Sequence, residues 1–441
     1  MGDLRRRLLS FSEITSVDSD TRELVALVQA WIPTQRWFAS KGTAPRLRPL
    51  AAATLPTDVP ATRVHVLIVR DEATATGVTY HVPLVDADRS TTATRAGIIG
   101  HRSNGNILVD GPRHPAYTAA LAQAVAPHVE AADGHVLDGE QSNTSIIYRG
   151  EDQPPVICKI YRQLHVGSHP DIELQSALAR SGCQRIPAAV GVWEGAWSPT
   201  ASGALAFAQE YFPDVEDAWR VARSAALAGR SFVDDARTLG EATADVHLRL
   251  AELFPTTPSD AVARRAIATA WDRRLRLAVS EVPAIQRHRA AISEVYEAAL
   301  ATRWPPLQRI HGDYHLGQVL QVPGRGWVLL DFEGEPLRPM TERLRPDAAL
   351  RDIAGMLRSF DYVAGSLQNE GDPERLRDWA AAARGGFLRG YEGRTQHPSA
   401  GELLDAFELD KAVYEAIYEA RNRPSWLEIP LAAIDRLVDT D

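Results

Sequence analysis

Residues Ile310 to Pro336 read IHGDYHLGQVLQVPGRGWVLLDFEGEP, and the fold is decided there. Gln318 to Val322 and Trp327 to Leu330 are apolar, β-prone runs, and Pro323-Gly324-Arg325-Gly326 between them has the residues of a tight reversal. The spacing predicts a β-hairpin, which brings Asp313, ahead of its first strand, close to Asp331, after its second. Phosphoryl transfer requires such a pair: one carboxylate orients the attacking hydroxyl and takes its proton, and another holds the Mg²⁺ that neutralises the phosphate oxygens. An acid at each end of a hairpin is ordinary by itself. The amide Gln318, five residues after Asp313, makes the set more specific.

His-x-Asp, an amide side chain, then an apolar strand ending in Asp is the order of parts in protein-kinase-like sites. The partners of such a site lie upstream. Lys159 stands inside Val-Ile-Cys-Lys-Ile, where a charge facing a cleft needs a partner, and Glu173 falls in a helix opened by Pro170-Asp171. A strand lysine paired with a helix glutamate is the clamp that positions the α- and β-phosphates of ATP. Ahead of them GEQSNTS, Gly139 to Ser145, is a polar loop before a strand. Its Ser142, Asn143, Thr144 and Ser145 are candidates to meet the nucleotide, although a glycine-rich fingerprint is missing. Leu205 to Tyr211 reads as a strand breaking into Phe212-Pro213, where a hinge between lobes offers backbone groups to adenine at Gln209 and Tyr211.

A chain of 441 residues is too long for one core and suits two or three domains. With 45% hydrophobic and 24% charged residues it is globular, and a net charge of −9 leaves no electrostatic footprint for nucleic acid or an anionic membrane. Two cysteines give no disulfide framework or zinc spacing, and no stretch approaches the ~20 apolar residues of a membrane span. The expectation is a soluble, cytoplasmic protein, a monomer or weak dimer. Only three of the basic residues are lysines, Lys41, Lys159 and Lys411, which makes each easier to weigh.

Residues 1–110 read as a small α+β domain, with a helix from Asp20 to Ile32, the segment QRWFASKG anchoring it through Trp37 and Phe38, and strands near 62–69 and 78–84. Residues 111–213 hold a second cluster of strands, and 214–441 are mostly helical. His247 reads as a packed helix histidine, and Asp352 as a cap or first-turn acid. Near the end, DKAVYEAIYEARNRPSWLEIPL puts Tyr414, Glu415, Tyr418, Glu419 and Arg421 within two turns of a helix, followed by Trp426. Planar polar acceptors beside an aromatic platform fit a sugar. Glu415 and Glu419, at i and i+4, repel unless a cation or sugar hydroxyls lie between them.

HGDYHLGQVL followed by LLDFEGEP, with EQSNTS and YEARNRPSW, resembles the maltokinases, a branch of the aminoglycoside-phosphotransferase-like kinases. Trp-Phe-x-x-Lys-Gly resembles the start of their N-terminal cap. The resemblance implies an α+β, bilobal protein-kinase-like fold: a cap domain (1–110), an intermediate domain completing the ATP-binding lobe (111–213) and a helical C-lobe (214–441). It implies Asp313 as base, Gln318 and Asp331 as ligands of Mg²⁺, Lys159 with Glu173 on the phosphates of ATP, His315 in the sugar pocket, and Asp352 as support for the catalytic loop. The activity implied is ATP-dependent phosphorylation of maltose to maltose 1-phosphate. Two other readings stay open: a kinase of an aminosugar such as glucosamine, giving glucosamine 6-phosphate, and a non-catalytic binding module.

Overall fold

The computed structural model describes residues 4–438 other than 75–76, 90–96, 128, 130–133, 138–142, 151–152, 337 and 397–400. The chain divides into two compact units, one of residues 1–176 with 187–213, the other of 177–186 with 214–441.

Two sheets build the first unit. One runs Ser12–Glu13, Leu47–Leu55, Arg63–Asp71, Val78–Ala87, Ile107–Asp110, Ile98–His101, with Gln163–Leu164 paired to Val78–Ala87. Val78–Ala87 is buried from Tyr80 onward, as its β-branched and aromatic composition favours. The helix Ser19–Trp31, capped by Asp18 Oδ1 accepting from Thr21 N at 2.7 Å, lays Leu24 and Val28 on this sheet. Trp37 and Phe38 secure it there, their rings 5.8 and 5.7 Å from that of Tyr80.

The other sheet runs Arg5–Ser10, Ala189–Ser198, Ala201–Glu210, Val156–Ile160, Thr144–Tyr148, His135–Val136. Its first strand is parallel to its neighbour and the remaining pairs are antiparallel. Sequence pattern missed Arg5–Ser10 because its residues are mostly exposed, so no alternation marks it. Lys159 lies opposite Ser145 on one side and Phe207 on the other.

The second unit is helical around the hairpin, whose strands Val319–Val322 and Gly326–Leu329 pair from Val319 with Leu329 to Val322 with Gly326. Its turn is closed by Arg325 N donating to Val322 O at 3.1 Å, and Gly324 and Gly326 supply the left-handed φ of 75° and 73° that it needs. The long helices Val233–Leu253 and Pro373–Thr395 touch backbone to backbone. A Cβ placed at Gly390 would stand 1.9 Å from Arg237 O, and one at Gly240 2.1 Å from Phe387 O. Neither carbonyl can swing away, since each belongs to a helix.

Replacing Gly390 by Ala therefore overpacks this seam and costs about 1–3 kcal/mol, read from urea unfolding. Gly385→Ala on the same helix meets only the end of Arg389 and leaves stability within about 0.5 kcal/mol. Equal effects at the two positions would show that the helices can separate freely.

Candidate functional site

The loop from His311 to Gln318 is held by one buried carboxylate. Asp352, on the helix Leu350–Ser366, accepts from His311 N at 2.7 Å and Gly312 N at 2.8 Å. Its Oδ2 also meets His247 Nε2 at 3.0 Å, and the other nitrogen of that ring meets Tyr391 OH at 3.0 Å. Burial raises the Asp352 carboxyl pKa, but His247 and the loop amide outweigh it, and the net shift is downward. His247 is thus a packed histidine with a task, and Asp352 supports the loop.

His311 joins the two ends of the hairpin. Its Nε2 lies 2.7 Å from Leu330 O, so it carries the proton, and Nδ1 accepts from Asp313 N at 3.4 Å. Just beyond Leu330, Asp331 has φ +64°, a left-handed conformation that aspartate tolerates better than most residues. Gln318 Nε2 donates to Asp331 Oδ2 at 3.4 Å, so the amide and the carboxylate meet as the spacing required. Two oxygen-bearing side chains at one point suit a hard cation such as Mg²⁺, which takes one or two protein ligands and completes its shell from phosphates and water.

Asp313 opens onto a cavity of about 420 Å³ within the second unit, lined also by His315, Lys411, Tyr414, Glu415, Glu419 and Trp426. Four of these come from the helix Glu402–Asn422, where Lys411, Tyr414, Glu415, Tyr418 and Glu419 share one face at spacings of three, four, seven and eight. Arg421 does not belong to it. Ten residues past Lys411 it has rotated away and forms a two-pronged pair with Glu281 at 2.6 and 2.7 Å. Arg423, which the sequence reading passed over, lines the cavity instead and pairs with both oxygens of Glu419 at 2.9 and 2.6 Å.

Cations relieve the repulsion between the two glutamates. Glu419 is saturated, since Tyr362 OH adds a bond to Oε1 at 3.1 Å. Glu415 Oε2 accepts from Arg358 Nε at 2.9 Å, while its Oε1 receives no hydrogen bond from the described residues. Burial pushes the Glu415 carboxyl up to about 7, against the pull of Arg358 and Lys411. His315 Nδ1 accepts from Gly317 N at 3.1 Å and burial lowers its pKa, so the neutral ring carries its proton on Nε2.

Lys411 and Glu335 were also missed as site residues. Lys411 Nζ donates to Asp313 Oδ1 at 3.2 Å and Glu335 Oε1 at 2.8 Å, and stands 4.9 Å from the centre of the Tyr414 ring. Burial raises Glu335, but Lys411, Arg274, Arg351 and Arg338 outweigh it and hold its carboxyl down at about 2. The rarity of lysine was the available signal for Lys411.

In the first unit the nucleotide-facing expectations need correction. Lys159 Nζ pairs with Asp171 Oδ2 at 3.1 Å, so the strand lysine has an acid two residues before the expected Glu173 as a partner. Two helix residues in succession but one diverge by about 200°, so only one of them can face the strand. Asp171 is fully buried and Glu173 half-buried. Burial raises Asp171, yet Lys159, His169 and a bond from Gln175 bring its pKa below the ordinary value. Thr144 and Ser145 belong to the strand rather than the loop. Ser145 is buried, and the Thr144 hydroxyl accepts from Arg162 Nε at 2.9 Å. Asn143 precedes the strand, and Ser142 lies outside the described residues. Glu210 N and Tyr211 N donate to Ala188 O and Pro155 O at 2.8 and 2.9 Å, so neither is open to adenine. The buried Gln209 keeps Oε1 without a donor among the described residues.

Residues 31–113 match the maltokinase N-terminal cap domain, and residues 133–403 the phosphotransferase enzyme family. A glucosamine kinase of Mycolicibacterium smegmatis is 30% identical over 322 residues, 68% of this chain and 78% of its own length. Another, of Streptacidiphilus jiangxiensis, is 30% identical over 291 residues, 59% of this chain but only 64% of its own. Among solved structures, a glucosamine kinase in complex with glucosamine, ADP and inorganic phosphate is similar with a TM-score of 0.65 at 25% identity, over 93% of this chain and 98% of that one.

Two outcomes follow from the geometry. Asp352→Ala strands two amides and the His247 ring, and lowers stability by about 3 kcal/mol or more, read by denaturant unfolding. A double-mutant cycle of Lys159→Met with Asp171→Asn shows a coupling of about 1–3 kcal/mol, larger than that of Lys159→Met with Glu173→Gln. A larger coupling to Glu173 would restore the original pairing.

Proposed function

This chain belongs to the phosphotransferase enzyme family, and we propose that it transfers the terminal phosphoryl group of ATP to a hydroxyl of a free aminosugar of the glucosamine class. The observation that carries the acceptor is the open oxygen of Glu415. In the cavity Asp313 Oδ1 is held by Lys411, which leaves Oδ2 to accept the proton of a sugar hydroxyl. Glu415 Oε1 is a second open acceptor on the same wall. A protonated amine there gains a charge-assisted bond and favours the ionised form of a carboxyl that burial has pushed up to about 7. A neutral sugar offers no such compensation. His315 Nε2–H is a donor for a ring hydroxyl, and Tyr414, Tyr418 and Trp426 supply apolar faces.

On the nucleotide side, Lys159, oriented by Asp171, meets the phosphates. Asp331 and Gln318 would hold Mg²⁺, which neutralises phosphate charge when bound. The glucosamine kinase relatives support this acceptor. Maltose, which sequence resemblance puts first, is the second reading, and the cap match over residues 31–113 favours it.

Measuring kcat/KM for glucosamine, maltose and glucose on one preparation decides between them. The expected order places glucosamine at least about tenfold above both others, the equivalent of one good polar contact, and Glu415→Gln removes most of its advantage over glucose. A preference for maltose overturns the aminosugar reading. Asp313→Asn lowers kcat by about 10²–10⁴ while ATP still binds; activity surviving that change overturns Asp313 as the base.

A further inference from the structure

We propose that Lys411 is a positioning residue for the reaction, fixing the plane of the Asp313 carboxylate so that Oδ2 faces the acceptor hydroxyl, and that Glu335 in turn anchors Lys411. The proposal rests on Asp313 being the base of the proposed kinase, but is indifferent to which sugar is bound.

An aspartate carboxylate turns broadly about its last bond. Without a partner on one oxygen, Asp313 would present its lone pairs over a wide arc. Lys411 Nζ binds one oxygen only, at 3.2 Å, and no other described residue bonds the second. The ammonium cannot drift, because Glu335 Oε1 holds it from another direction at 2.8 Å and the Tyr414 ring lies 4.9 Å away. Glu335 is 1% exposed and follows Asp331 by four residues, so the segment that ends the hairpin also supplies the anchor. The helix that carries Lys411 is itself fixed at the preceding residue, where Asp410 pairs with Arg274 and, at 3.2 Å, with Arg351.

Charge supports the same assignment. Asp313, Lys411 and Glu335 form a largely buried triad of two carboxylates and one ammonium, of which Glu335 is the most enclosed. Removing the ammonium leaves the Asp313 carboxylate beside Glu335 with no cation of its own, although Arg274, Arg351 and Arg338 still act on Glu335, and the repulsion between the two carboxylates pushes Asp313 out of its position.

The test compares Lys411→Met, Lys411→Arg, Glu335→Gln and the double variant Lys411→Met/Glu335→Gln with wild type, after thermal unfolding has confirmed that each is folded. Lys411→Met lowers kcat about 100-fold with the KM for ATP unchanged, the scale of loss for a misplaced reacting group. Lys411→Arg keeps the charge and recovers about tenfold of that loss, although its planar fork fits a single-point contact poorly. Glu335→Gln alone costs about tenfold in kcat, and adding it to Lys411→Met raises kcat above that of Lys411→Met, because the negative charge repelling Asp313 has gone. If Lys411→Met does not fold, Lys411→Arg and Glu335→Gln still decide, since wild-type kcat in both contradicts the proposal. A raised sugar KM with intact kcat in the Lys411 variants also overturns it, and makes Lys411 a sugar contact. Should Asp313→Asn prove silent in the same assay, the base assignment fails instead.

Discussion

The loop geometry of the second unit depends on a carboxylate that touches no candidate substrate position. Asp352 receives the backbone N–H groups of His311 and Gly312, and those bonds set where Asp313 begins. A loop of small and polar residues has many conformations of similar energy, and fixing one takes partners that are strong and dry. A buried, ionised carboxylate accepting two amides and a histidine is such a partner. The neighbouring Gly355 lets the helix of Asp352 come this close, since a Cβ there would stand 2.4 Å from Tyr314 O. Tyr314 is tied down as well, its hydroxyl 2.7 Å from Thr243 Oγ1.

The hairpin was legible because turn chemistry and strand propensity are local. So was the sharing of one helix face by Tyr414, Glu415, Tyr418 and Glu419, which follows from helical pitch. What failed was the choice between neighbours. Asp171 and Glu173 are both acids on one helix, and only the packing of its buried face selects Asp171. Arg421 and Arg423 differ in that the helix ends between them, Arg423 having left it with φ −143° and ψ 68°. Lys411 and Glu335 are 76 residues apart, and no spacing rule brings such a pair together. The backbone bonds at Glu210 and Tyr211 were hidden for a different reason, since the carbonyls they use come from other segments.

The cavity beside Asp313 carries more charge than the proposed sugar pocket would require. Arg358 serves Glu415 and Arg423 serves Glu419, while Lys411 is shared between Asp313 and Glu335, so each acid has a cation beside it. Breaking one such pair leaves a buried charge alone, which costs more than the pair contributes. Substitutions that alter acceptor choice are therefore better made two at a time, acid with partner. Among the carboxylates described in the lining, the same pairing leaves one oxygen of Asp313 and one of Glu415 as open acceptors, which narrows what orientation a ligand can take.

The parallel strand Arg5–Ser10 has a consequence for the order in which the protein is made. Its partner is Ala189–Ser198, and the Arg6–Glu194 pair at 2.8 Å closes a loop of 188 residues. During synthesis, Arg5–Ser10 emerges early and waits without its neighbour until some two hundred residues have been added. Its three arginines keep it soluble in that interval, as charge on an unpaired edge does elsewhere. The sheet that carries Lys159 is completed late, by a contact of high sequence separation, and such contacts fold slowly. The first unit thus reaches its final form only after translation has passed into the residues of the second.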